Sequence, residues 1–73
     1  MSKPRACDER DGLIGKTEET LLKVADLAKN QAEALRNGNE NVVMAIDKQI
    51  EMTLGDKERL LGALQQHRAE HGC

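Results

Sequence analysis

The only dense cluster of turn-forming residues, Arg36-Asn37-Gly38-Asn39-Glu40-Asn41, stands midway along the chain, and apolar residues recur with helical spacing on both sides of it. Before the cluster, Ile14, Leu21, Ala28 and Leu35 follow one another every seven residues, with Thr17, Val24, Ala25 and Ala32 at the intervening steps of three or four. After it, Val43, Ile46, Ile50, Thr53, Lys57, Leu60 and Leu64 alternate steps of three and four, a second seam interrupted by one lysine. The only proline is Pro4, so nothing else punctuates the chain. Two long helices joined by a short turn must run antiparallel. The sequence therefore predicts an all-α helical hairpin forming one domain over 1–73: an N-terminal segment 1–12, helix 13–36, turn 37–41 and helix 42–71.

Local signals refine these boundaries. Gly38 suits the left-handed position that ends a helix, and Asn39 or Asn41 can cap the next one through its side chain. Gly12 and Gly15 each cost about 1 kcal/mol in a helix interior, which marks residues 1–12 as a frayed or separate turn. Gly55 and Gly62, seven apart, share a face and fit either a close helix approach or a weak spot. At about 1.5 Å per residue, such helices make a rod about 40 to 45 Å long.

A rod of this kind has little interior. With 73 residues, the chain sits where a single core rarely supplies more than about 3 to 5 kcal/mol and a metal, a disulfide or a partner subunit is usually needed. Phe, Trp and Tyr are absent, which removes the side chains that bury most area and argues against base-stacking nucleic-acid modules and aromatic-cored β-folds. The apolar face is also wider than a two-stranded seam: Leu13, Leu22 and Leu27 flank the first stripe, and Val42, Leu54 and Leu61 the second. Two hairpins related by a two-fold axis would cover it as a four-helix bundle, so a homodimer is expected. The same stripe also suits docking to another protein.

Charge and motif content narrow the function classes. Eleven basic residues against 13 acidic ones leave a formal charge of −2, and Lys16, Lys23 and Lys29 are interleaved with Glu18, Glu19, Asp26 and Glu33. These charges read as a solvated surface with pairs such as Glu19 with Lys23, which counts against RNA binding by a dimeric hairpin. No apolar run is long enough for a membrane span, and the start carries no signal core, so a reducing cytoplasm is the expected compartment. Phosphate-cradling loops are absent. Neither His67 nor His71 has a carboxylate three residues before it, as a di-iron bundle would require, because positions 64 and 68 hold Leu and Arg. A hairpin offers no pocket that excludes water, so a non-enzymatic protein is expected.

The chemistry-bearing residues gather at the chain ends. Seven before Ile14 stands Cys7, and the second seam continues past Leu64 to His67 and His71. In a hairpin that pairs Leu35 with Val43, Cys7 falls opposite His71. Gly72 would end the second helix and let Cys73 fold back over the end of the rod. Cys7, His67, His71 and Cys73 thus form a candidate Cys2His2 set for Zn2+, in which metal binding energy becomes folding energy. A Cys7–Cys73 disulfide or redox pair is a second reading, worth about 4 kcal/mol in the chain-entropy model, and ordinary terminal residues with no site are a third.

The segments Cys7-Asp8-Glu9-Arg10-Asp11-Gly12-Leu13-Ile14 and His67-Arg68-Ala69-Glu70-His71-Gly72-Cys73 together resemble the two signatures of small, uncharacterised bacterial helical-hairpin proteins. The resemblance rests on these two segments alone. It implies a cytoplasmic two-helix protein whose terminal Cys and His residues belong together, and it brings no activity with it. The first helix departs from that pattern, with Thr and Leu where aromatic residues are common.

Overall fold

The computed structural model describes residues 5–72, with side chains described from residue 8 onward. Two helices make up the fold, α1 (Arg5–Arg36) and α2 (Glu40–His71), each of 32 residues, packed side by side as an antiparallel hairpin. Among the described residues there is no strand. The hairpin measures 58 × 18 × 11 Å. α1 begins at Arg5 rather than at residue 13, running through Gly12 and Gly15 without a break, so that it matches α2 in length. The expected separate segment over 1–12 is thus corrected for the described part: from Arg5 to Gly12 the backbone is helical, and this stretch lies against the last turns of α2.

The turn is tighter than 37–41. Gly38 takes a left-handed conformation with φ 71°, which a residue with a Cβ adopts only at a cost. The Asn39 N–H donates to Ala34 O at 2.9 Å and the Gly38 N–H to Leu35 O at 3.1 Å. This is the Schellman pairing, which satisfies carbonyls that the end of α1 would otherwise leave bare. Asn39 occupies the N-cap of α2, but its side chain makes no capping bond, contrary to expectation; its carbonyl accepts the Val43 N–H at 3.1 Å. Asn41 lies inside α2. A side-chain cap is dispensable because the turn already fixes the entry of α2. Gln31 adds a tie beside the turn, its Nε2 donating to Val43 O and to Asp47 Oδ1, each at 3.2 Å.

The seam of α2 follows the sequence reading: Val43, Ile46, Ile50, Thr53, Lys57, Leu60, Leu64 and His67 are all buried or half-buried. In α1 the structure corrects the reading by one step. Leu13, Thr17, Thr20, Val24, Leu27, Gln31 and Ala34 face α2, whereas Ile14, Leu21, Ala28 and Leu35, expected in the contact, are exposed. Leu13 and Leu27 are accordingly seam residues, not flanking ones. The reason is size and local bonding. Thr17 Oγ1 donates to Leu13 O at 2.7 Å and Thr53 Oγ1 to Gln49 O at 2.7 Å, so these short side chains are buried with their hydroxyls satisfied while letting the backbones approach.

Gly55 and Gly62 do not mark a close approach within the hairpin. A Cβ at either position, or at Gly12 or Gly15, would meet nothing within 4 Å. Gly55→Ala and Gly62→Ala are therefore expected to raise stability by about 0.5 to 1 kcal/mol each, since Ala removes backbone entropy from the unfolded chain without a clash. Gly38→Ala is expected to lower it by about 1 to 2 kcal/mol, the strain of a left-handed residue with a Cβ. Urea unfolding followed by circular dichroism measures all three.

Candidate functional site

At the open end of the hairpin, α2 carries His67 and His71 one turn apart. Their rings lie side by side with centroids 4.7 Å apart, tilted by 52°. Spacing of four residues on a helix produces this directly, because such side chains project from the same face. Their surroundings differ. His67 continues the seam and is buried, whereas the His71 side chain is 44% exposed beyond the last inward position of α2. His67 Nδ1 lies 3.9 Å from Glu9 Oε2 across the interface, and His71 Nε2 lies 3.8 Å from Glu70 Oε2 on its own helix. Gln66 Nε2 donates to the other Glu70 oxygen at 3.1 Å, holding that carboxylate beside His71. Glu9 was not anticipated as a neighbour of His67: the register that sets Cys7 opposite His71 sets His67 opposite Asp11, two residues along α1.

The helix stops where the sequence proposes. Gly72 is left-handed with φ 69°, and its N–H donates to Arg68 O at 2.9 Å. A shallow hollow at this end is lined by Arg10, Ile14, Leu64, Arg68 and Gly72. Of the four candidate ligands, His67 and His71 are brought together. Cys7 lies within α1 but its side chain is outside the described residues, and Cys73 is outside them altogether. Among the described residues, no three His, Cys, Asp or Glu side chains converge as metal ligands. The described part of the site is thus an imidazole pair, which supplies two of the four donors of a tetrahedral ion.

The two broad faces of the hairpin differ in chemistry. One groove beside the seam is lined by Lys16, Glu19, Thr20, Asp56, Arg59 and Leu60, with Arg59 and Asp56 ion-paired. The opposite face carries the displaced row of α1, with Ile14, Leu21 and Leu35 exposed at 38%, 48% and 62%. No described helix is long and apolar enough to cross a membrane. Comparison with protein families, curated proteins and solved structures found no match, so the functional reading rests on the residues of this chain.

Because His67 is packed in the seam and His71 is not, the metal-free protein is expected to distinguish them. In the presence of a chelator, His67→Ala should destabilise by about 1 to 3 kcal/mol through lost packing, while His71→Ala stays within about 0.5 kcal/mol of wild type. Thermal and urea melts of the two variants test this.

Proposed function

We propose that this chain is a small non-enzymatic interaction protein of the cytoplasm, acting as a homodimeric helical hairpin whose open end is closed by a structural or sensory Zn2+ site of Cys7, His67, His71 and Cys73. The observation that supports it most is the imidazole pair, held 4.7 Å apart at the open end of the hairpin, where the last turns of α2 lie beside the start of α1. Histidines four apart on one helix can direct a nitrogen each at a common ion, and two thiolates would complete the tetrahedral, closed set of a structural zinc site. The helix terminator at Gly72 supports the same reading, since it turns the chain just before Cys73. The resemblance of the two end segments to hairpin proteins with paired terminal Cys and His residues agrees with it.

Zinc bound there would tie the first turns of α1 to the last turn of α2, the part of a hairpin farthest from its turn. The thiols must lose their protons and the imidazoles must be neutral, so binding releases protons and weakens on acidification. Adding Zn2+ should raise the melting temperature of the reduced protein, with one ion bound per chain, and a chelator should reverse the gain. Cys7→Ser, Cys73→Ser, His67→Ala and His71→Ala should each reduce Zn2+ affinity by about tenfold or more. Under a disulfide instead, a reductant would destabilise, the two cysteine variants would mimic it, and His71→Ala would have no effect. Absence of Zn2+ binding by the reduced protein, or unchanged affinity in His71→Ala, would overturn the metal reading.

A further inference from the structure

In the isolated hairpin the usual order of burial is inverted. Among the described residues, Ala34 is the only buried hydrophobic, and the other buried side chains are Thr17, Thr53 and His67, while Leu21, Leu22, Leu35 and Leu61 stand exposed at 48%, 67%, 62% and 43%. Among the described residues, Ile14, Leu21, Leu35 and Leu61 share one face, whereas Leu22 points away from the seam and Val42, Met44 and Met52 lie on other rows. With about 100° per residue, the row Ile14, Leu21, Ala28, Leu35 lies about 70° from the centre of the α1 contact. In an antiparallel pair, the corresponding row of α2 on the same side is Asp47, Leu54, Leu61, Arg68. The hollow that brings Ile14 beside Leu64 and Arg68 fits this placement. The other side of the seam holds Lys16, Lys23, Gln49 and Asp56. One face of the hairpin thus carries an apolar row from each helix, and the other is mainly charged, with Met52 exposed among its residues.

We infer that the apolar face is the contact for a second copy of this chain, packed antiparallel, with Ile14 and Leu21 of α1 and Leu54 and Leu61 of α2 at its centre and Leu35 toward its ends. This inference rests on the dimer reading above and deepens it by naming the face and the orientation. Charge selects both. The α2 row begins with Asp47 near the turn and ends with Arg68 near the open end, so reversing a second copy sets Asp47 against Arg68 at both ends and Leu54 against Leu61 between them. A two-fold axis across the helices produces this arrangement, with α1 lying on α1 and α2 on α2. On the outer edge of α1, Asp11 and Glu18 then run against Ala32 and Ala25 of the second copy rather than against acids. On the edge of α2, Glu51 faces Gln65 of the second copy, and Glu58 meets its own counterpart at the solvent boundary, where screening limits the repulsion. A face 58 Å long and 18 Å wide is larger than the roughly 800 Å2 per partner of a standard interface.

The test is sedimentation equilibrium of the full chain at tens of micromolar, reduced and with matched circular dichroism to confirm that each variant is helical. Wild type is expected at twice 8.1 kDa. Leu21→Glu and Leu61→Glu should each weaken the dimer by about tenfold or more, whereas Met52→Glu, the same change among the residues of the charged side, should not. Asp47→Arg and Arg68→Asp should each weaken it, and the double variant should recover to within about threefold of wild type. A wild type of 8.1 kDa throughout would overturn both this inference and the dimer reading. A dimer indifferent to Leu21→Glu and Leu61→Glu would overturn the face alone, leaving self-association standing. Sensitivity to the leucines without rescue in the double charge reversal would overturn the antiparallel order.

Discussion

Everything in this fold hangs on one narrow contact between two helices. A pair of cylinders touches along a line, and each residue turns about 100° from the last, so only about two positions per heptad on each helix are shielded by the partner. Here those positions hold side chains that are small or polar at several levels: Thr17, Thr20 and Ala34 on α1, Thr53 and Lys57 on α2. Threonine can sit there because its hydroxyl bonds back to the carbonyl four residues earlier, which removes the penalty of an unsatisfied buried donor. The seam therefore permits close approach and sets register, with Gln31 bonded to Asp47 near the turn and Glu9 beside His67 at the other end. It does not bury much apolar surface.

How legible the sequence was depended on how many helical rows looked apolar. In α2 one row stood out, and every position from Val43 to His67 on it faces α1. In α1 two neighbouring rows competed. Leu13, Val24 and Leu27 make the true contact, but Thr17, Thr20 and Gln31 between them disguise it, and the unbroken row of Ile14, Leu21, Ala28 and Leu35 reads as the better seam. Periodicity alone cannot separate a row from a contact centred about 70° away when both are apolar, because it reports where apolar side chains lie and not which partner covers them. Glycine misled for a related reason. Gly12 and Gly15 weaken a helix locally, yet they leave every backbone hydrogen bond possible, and the stretch from Arg5 onward gains support from lying against the last turns of α2.

At the site, the imidazole pair was legible because four-residue spacing on a helix is a geometric constraint independent of tertiary detail. Its asymmetry was not. That His67 is buried and His71 exposed depends on where the contact between the helices ends, a property of the pair. This asymmetry also separates two roles that a single histidine motif would merge. The inner ring serves the packing of the hairpin whether or not an ion is present, and the outer ring has little packing to lose, so the ligand role can be measured on it with the fold intact.

The two proposed additions to the hairpin act on different deficits. A metal at the open end restrains the ends of the helices farthest from the turn, where the chain has fewest neighbours, but it covers no leucine. A second copy on the apolar face shields Leu21, Leu35 and Leu61, but leaves the chain ends at the extremities of the bundle. The bare positions are consistent with this division. Gly15, Gly55 and Gly62 lie in rows directed away from the seam, and a Cβ on any of them meets nothing, so that outer surface is asked to pack against nothing in the hairpin. Ile14, Leu21, Leu35 and Leu61 instead stand on the flank beside the seam, where the two helices together offer a broad surface that neither could present alone.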